Sequence, residues 1–324
     1  MNNIKIEKDF ALSLIIPIYS SQKSIPSLLN RLEKLKLEFN WEVIFVEDGS
    51  SDESFKTLFN LLKKSELNSK LIRHNRNFGE HQAVLTGYRY SNGDYIVNLD
   101  DDLQNPPEEA IKLFKWAIKN DLDVVYGEYE EDKHAEWRNF GSKFAHLTAH
   151  IFLDLPKNAG LSSFRCIKSS IAKEVSKYNG PYPYIDGLVA QISQSIESIK
   201  VKHDKRFLGN SGYNLRRLIR LWINILTSFS LMPLRLSSLI GTVFAFAGGV
   251  GILIVILETL LKGVTVSGWA SVLSTVLLFG GIQCLLLGLV GEYLGRIYLT
   301  VSGKPQSNIR SVDNFKNKIS KKDR

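Results

Sequence analysis

Val97-Asn98-Leu99-Asp100-Asp101-Asp102-Leu103-Gln104 places three adjacent carboxylates and a side-chain amide directly after an apolar strand. Negative charge packed that densely at a strand end is costly unless a positive partner sits beside it. A hard divalent cation with oxygen ligands meets that need. In open α/β sheets the ligand crevice lies beyond the carboxyl ends of the strands, so the position suits a site. The competing assignment is a solvated acidic turn capping the helix that begins near Pro107-Glu108-Glu109.

Outward from this run, the first half alternates strand and helix signals. Apolar strands are expected at Leu12 to Ile18, Trp41 to Val46, Lys70 to Arg73, Tyr95 to Leu99 and Asp123 to Tyr126. Between them lie helical patterns: one from about Ser24 with Leu28, Leu29, Leu32 and Leu35 on one face, one marked by Phe55, Leu58, Phe59 and Leu62, then Gly79 to Tyr90 and Ala110 to Ile118. Such alternation predicts an α/β fold with a mostly parallel sheet and helices on both faces. Further on, Trp137 to Ile151 reads as a helix, while Ser163 to Ile167 and Ile196 to His203 read as strands, the latter alternating like a half-buried edge.

The chain has 324 residues, is 44% hydrophobic and carries a net charge of +8, but its apolar residues are unevenly spread. Leu236 to Leu257 is free of charge, and a second uncharged stretch follows Lys262 and runs to Gly291. Each exceeds the roughly 20 residues of helix that cross a hydrocarbon core. The short link Lys262 to Gly268 makes them a hairpin, the alternative being a buried helical pair in a soluble core. Arg216, Arg217, Arg220 and Arg235 precede the pair, and Arg296, Lys304, Arg310, Lys316 and Lys318 follow it. The positive-inside rule therefore puts both flanks, and the large N-terminal domain, in the cytoplasm. Leu215, Leu218, Ile219, Trp222, Leu226 and Phe229 recur at helical spacing beside those arginines, the pattern of a helix lying in the membrane interface rather than in a core.

The N-terminus has no apolar run of the secretory-leader kind, so none is expected. The basic excess suits an anionic membrane surface better than nucleic acid, because it gathers near the spans and no aromatic-interleaved basic platform accompanies it. Two cysteines, Cys166 and Cys284, supply neither a disulfide framework nor metal-ligand spacing. The tail from Ser302 is polar and basic, and is expected to be loosely ordered.

Three loops should gather at the carboxyl edge of the sheet: Pro17-Ile18-Tyr19, Glu47-Asp48-Gly49-Ser50, and Asp100 to Gln104. The chain has no Gly-rich phosphate cradle, so diphosphate charge must be met by a metal and basic side chains. Mg²⁺ is typically held by one or two carboxylates plus substrate phosphates. Asp102, helped by Asp100 and Gln104, supplies that arrangement. Glu47 or Asp48 could accept hydrogen bonds from a base or ribose, although Asp-Gly-Ser is also a good turn.

The ordered set IIPIY, VEDGSSD, RNFGEHQAV, GDYIVNLDDDLQNPPEE, SSFR and the terminal GEYLGRIY resembles the family 2 glycosyltransferases. Within them it is similar to the polyprenyl-phosphate glycosyltransferases, among them dolichol-phosphate-mannose synthase, the bactoprenol glucosyltransferases and the undecaprenyl-phosphate formamido-arabinose transferases. The likeness covers nearly all of residues 10 to 305. It implies a GT-A fold that transfers a sugar, with inversion, from a nucleotide sugar (a UDP-sugar) to a polyprenyl phosphate, using Mg²⁺ or Mn²⁺. It also implies a multi-pass protein of the bacterial inner membrane, a homo-oligomer, serving cell-envelope glycan or lipopolysaccharide modification. By resemblance Pro17, Tyr19, Glu47, Asp48, Asp101 and Arg76 would serve the nucleotide, and Asp100, Asp102 and Gln104 the metal. Arg165 would meet phosphate, and Arg206 matches an arginine ahead of the juxtamembrane helices. The expected domains are 1–212 catalytic, 213–235 interfacial helices, 236–300 the membrane hairpin and 301–324 a basic cytoplasmic tail.

Departures from the family pattern, among them Glu47 as the first acid of the Asp-Asp-Gly-Ser block, leave donor and metal binding intact and bear on the acceptor side and the sugar. The usual Asn-Glu after the first tyrosine is Ser20-Ser21, and the acid that relatives carry shortly before SSFR is replaced by Ala159 and Gly160. A lysine usual in the Gly-x-Ser-Lys-Tyr block is Gly212, and Glu130 and Glu131 stand where relatives often have a basic residue. Asp186, in Pro183-Tyr184-Ile185-Asp186-Gly187, is the candidate to orient the acceptor or replace the missing aspartate, its alternative being a helix N-cap. His74 and His81 read as structural. Two competing functions are a glycosyltransferase acting on a lipid hydroxyl, which needs a base, and a catalytically inactive membrane scaffold.

Overall fold

The computed structural model describes residues 10–129, 160, 162–204, 232–262, 268–303 and 305–315. These form two compact units, one of 10–204 and 305–315, the other of 232–303. The expected helix at Trp137 to Ile151, the interfacial stripe from Leu215 and the candidate Arg206 lie outside the described residues.

Strands β1 (Leu12–Ile18), β2 (Trp41–Glu47), β3 (Ser69–His74), β4 (Tyr95–Asn98), β5 (Val124–Tyr129), β6 (Arg165–Lys168), β7 (Ile196–Val201) and β8 (Ile309–Phe315) form one sheet in the order β7-β5-β6-β4-β1-β2-β3-β8. The pairs β1·β2, β1·β4, β2·β3 and β5·β7 are parallel, whereas β6 runs antiparallel to β4 and β5, and β8 antiparallel to β3. The sheet is therefore mixed, and β7 is the edge its alternation predicts.

Leu12, Leu14, Ile15, Ile16 and Ile18 are all fully buried, which requires cover on both faces. Helices α1 (Ile25–Glu33), α2 (Ser54–Leu62), α3 (Glu80–Tyr90) and α4 (Pro107–Lys119) supply it in this α/β unit. Ile25, Leu28, Leu29 and Leu32 of α1 and Ala110, Leu113, Phe114 and Ala117 of α4 enter the same core as Leu14 and Ile16. On α3, a Cβ at Gly87 would lie 2.5 Å from Ile15 Cγ2, so only glycine lets this helix sit so close to the central strand. Two short helices, α5 (Ser169–Ser176) and α6 (Ile185–Ile192), complete the unit.

The tail departs from expectation. Residues 309–315 are not loose but form β8, tied to β3 from Ser69↔Phe315 to His74↔Ile309, with the Phe315 ring 5.7 Å from Phe59. Backbone groups along the β3 edge would otherwise stay unpaired, an aggregation liability that β8 removes.

The second unit contains α7 (Met232–Lys262) and α8 (Trp269–Val301), which meet at Phe244 and Phe279 with ring centroids 6.2 Å apart. Both are long and apolar enough to cross a membrane, with windows of mean hydropathy 1.4 and 1.5 that bury nothing.

Candidate active site

Parallel pairing brings the ends of β1, β2 and β4 to one edge, with Ile18 opposite Glu47 and Ile15 opposite Asn98. Leu99 N–H donates to Ile15 O at 2.9 Å, so the acidic run leaves β4 across the end of β1. From the other side, antiparallel β6 begins at the same edge, since Cys166 pairs with Val97. The three expected loops and the SSFR segment thus share one rim.

Asp100 accepts hydrogen bonds from Asn105 Nδ2 and Ser163 Oγ, each at 3.0 Å. Burial, reinforced by the carboxylates of Glu80 and Asp102, pushes it up to about 7. Asp101 points elsewhere: it accepts from Ser21 Oγ and from Tyr19 N–H, which fastens the loop after β1. Burial raises it to about 6, against the opposing bond from Ser21. Gln104 N–H donates to Asp102 Oδ1 at 3.1 Å, closing a tight turn in which Leu103 takes φ 63°. Ser20 on the facing loop also has a positive φ, 54°. Non-glycine residues held in this region store strain and cluster at functional sites.

Glu47 is fully buried, accepting from Ser50 N–H at 2.5 Å and from Arg73 Nε at 3.3 Å. Asp48 is buried as well. Its oxygens accept from Phe78 N–H at 2.9 Å, Gly79 N–H at 2.8 Å and pair with His74 Nδ1 at 2.7 Å. His74 Nε2 meets Thr86 Oγ1 at 3.0 Å. Glu47 therefore ties its own turn to the end of β3, while Asp48 fastens the loop that carries Arg76. That loop also crosses Gly49 closely, for a Cβ there would lie 2.3 Å from the Arg76 carbonyl carbon, and its φ is 64°. Arg76 stacks over Phe78 at 4.9 Å. Tyr19, 51% exposed, leaves a broad aromatic face open beside Pro17.

Arg165 is only 2% exposed. Nη1 donates to Asp186 Oδ1 at 2.5 Å, and Nε donates to Ser163 O at 3.4 Å. Asp186 lies in the first turn of α6 but does not cap it, Tyr184 being the cap residue. It accepts a second bond, from Tyr126 Oη at 2.9 Å. His81 packs edge-on against Tyr184 at 5.7 Å, and burial pulls its imidazole below the usual value.

One participant escaped sequence reading. His203 Nε2 lies 3.1 Å from Gln104 Nε2, its ring 4.2 Å from Tyr129, and Asp204 N–H donates to Gln104 O at 2.8 Å. Nothing in the local pattern around residue 203 marks it, since the partner is about a hundred residues away.

Among the described residues no three His, Cys, Asp or Glu side chains form a ready-made metal cage. The donor set nonetheless fits Mg²⁺ or Mn²⁺. Asp100 and Asp102 are hard oxygen donors; desolvation and then the charges of Glu80 and Asp102 raise Asp100, a cost that a cation would relieve, and phosphate oxygens ordinarily complete such a shell.

Such a mixed sheet, with an acidic run at its carboxyl edge, is GT-A-like. The sequence profile described as Glycosyl transferase family 2 matches residues 13–172, and the chain belongs to that family. The undecaprenyl-phosphate 4-deoxy-4-formamido-L-arabinose transferase of Pseudomonas aeruginosa (strain LESB58) is 34% identical over 307 residues, spanning 93% of this chain and 89% of its own. The enzyme of the same name from Proteus mirabilis (strain HI4320) is 33% identical over 313 residues, 94% of this chain and 95% of its own. Among solved structures, glucosyl-3-phosphoglycerate synthase from Mycobacterium tuberculosis, with Mg²⁺ and UDP, superposes with TM-score 0.49 at 11% identity over 68% of this chain and 78% of that one.

Proposed function

We propose that this glycosyltransferase moves a sugar from a UDP-sugar to a polyprenyl phosphate, with inversion, at the cytoplasmic face of a bacterial inner membrane. The acidic run carries this assignment: desolvation, with the charges of Glu80 and Asp102 adding to it, lifts Asp100, and this surplus of negative charge suits a cation and a diphosphate. The full-length relationship to undecaprenyl-phosphate transferases supplies the acceptor class.

Tyr19 offers a stacking face for the base, and the clasped Arg76 loop walls the nucleotide side. Asp100, Asp102 and Gln104 would hold the cation. When bound, it supplies Lewis-acid charge to the departing diphosphate. The acceptor phosphate carries about −1.5 to −2 charge near neutral pH, so its oxygen attacks the anomeric carbon without first losing a proton. Arg165 receives that anion through charge-assisted hydrogen bonds. Arg206 is proposed as a second phosphate contact ahead of the membrane helices.

The strand β8 bears on topology. It follows α8 in sequence yet joins the sheet that precedes α7, which supports a reading in which the chain crosses the membrane an even number of times. A lipid-hydroxyl acceptor would demand a base. The only acidic candidate outside the acidic crevice that the sequence offered, Asp186, is already bonded to Arg165 and Tyr126.

Membranes containing the protein should be incubated with a panel of nucleotide sugars, undecaprenyl phosphate and Mg²⁺ or Mn²⁺. A lipid-extractable sugar released by mild acid, of opposite anomeric configuration to the donor, is expected. An acid-stable glycolipid would move the assignment to a hydroxyl acceptor, and no product with any donor would remove it.

A further inference from the structure

Arg165, Asp186 and Tyr126 meet from three separate elements. Arg165 opens β6, Tyr126 is its register partner on β5, and Asp186 comes from α6. Arg165 and Asp186 are 2% and 5% exposed, so neither charge could remain there without the other. Asp186 keeps the guanidinium charged, holding Arg165 above its ordinary value despite burial. Burial and the Asp186 charge also raise Tyr126 well above the usual phenol range, so its hydroxyl stays a donor.

The pairing fixes the guanidinium plane. Nη1 goes to Asp186 and Nε to Ser163 O, and among the described residues Nη2 donates to nothing. Ser163 in turn bonds Asp100 through its hydroxyl. The same short segment thus touches the acidic run at Ser163 and carries the buried cation two residues later, at the start of β6.

We infer that Asp186 is a positioning residue for Arg165, and not a base: with Tyr126 it locks the guanidinium so that Nη2 is presented to an oxyanion, the acceptor phosphate. The inference rests on the polyprenyl-phosphate assignment and extends it. An Asp186 oxygen that already accepts from a guanidinium and a phenol is not placed to take a proton from an acceptor. Its contribution is to hold one donor in place before the phosphate arrives, and a donor displaced by about 1 Å can lose on the order of a hundredfold.

The test uses the full-length protein in mixed micelles with undecaprenyl phosphate and the productive nucleotide sugar. Asp186→Asn removes the charge while keeping the shape, Asp186→Glu restores the charge, and Tyr126→Phe removes one bond but leaves the ion pair. We expect Asp186→Asn to raise the acceptor KM on the order of tenfold or more, with the donor KM within about twofold and the pH profile of kcat unchanged in shape. Asp186→Glu should recover part of the loss, and Tyr126→Phe should raise the acceptor KM by a smaller factor. If Asp186→Asn does not fold, Tyr126→Phe decides: a raised acceptor KM supports the inference and an unchanged one overturns it. A collapse of kcat with unchanged acceptor KM and loss of the acidic limb would make Asp186 a base and overturn it. Wild-type protein that consumes no nucleotide sugar would instead sink the underlying assignment, whereas an active wild type with an indistinguishable Asp186→Asn sinks only this inference.

Discussion

Replacing Asp100 by Asn should make the metal-free protein more stable while destroying its site. The folded carboxyl sits at about 7 against an ordinary 3.8, a difference of about 3 units. At 1.36 kcal/mol per unit that is about 4 kcal/mol. Sharing of the proton with neighbouring carboxylates and partial solvent access reduce it to about 2 kcal/mol. The sign follows from linkage: a carboxyl raised on folding binds its proton more tightly in the folded state. The penalty is therefore absent below about pH 4, grows as pH rises, and is complete above about pH 7. The amide oxygen introduced by Asp100→Asn would still accept from Ser163 and Asn105, so the substitution removes charge without orphaning either donor. In thermal melts with a chelator present, Asp100→Asn should melt about 4 to 8 °C above wild type at pH 8, a gap that closes toward pH 4. Added Mn²⁺ should raise the wild type and leave the variant unmoved. A variant that is less stable at pH 8, or whose gap does not depend on pH, would refute the electrostatic description of the crevice.

The same raised carboxyl predicts that Mn²⁺ binding releases about one proton at pH 6 and almost none at pH 8.5, measured by calorimetry in two buffers of different ionisation enthalpy; equal release at both would contradict it. Gly49→Ala puts a methyl 2.3 Å from the Arg76 backbone at a positive φ. It should cost about 2 kcal/mol in stability and raise the donor KM more than the acceptor KM, and unaltered kinetics would show that the Arg76 loop does not shape the donor site. Ending the chain at Asn308 removes β8 and bares the β3 edge. That truncation should lower the melting temperature and promote aggregation, whereas a monodisperse protein of unchanged stability would show the strand to be dispensable.

The strands β1 to β5 and the helices between them were legible because each is a short apolar run followed by a 3.6-residue stripe, and the acidic run marks its own strand end. The eighth strand was not. Its half-buried positions are Ile309, Ser311, Asp313 and Phe315, while Val312 faces outward, so no period of two shows in hydrophobicity. What holds it is backbone pairing to β3, which leaves no trace in side-chain type. The Glu47-Asp48-Gly49-Ser50 loop was legible as the turn that ends β2, but sequence spacing could not show that Asp48 turns inward to His74 and two backbone amides. Nor could it join Asp186 to Arg165 and Tyr126, 21 and 60 residues away in the chain. The metal candidates Asp100, Asp102 and Gln104 share one turn and needed no long-range knowledge. Their neighbours Ser163 and His203 arrive only through the fold.

The most decisive experiment titrates Mn²⁺ into chelator-treated wild-type protein and an Asp102→Ala variant, and counts sugar transferred from a UDP-sugar to undecaprenyl phosphate. Saturable restoration in the wild type, with at least roughly a hundredfold less product from the variant at every concentration, is expected from a cation held in the acidic crevice. Full transfer with the chelator present, or equal product from the variant, would contradict it.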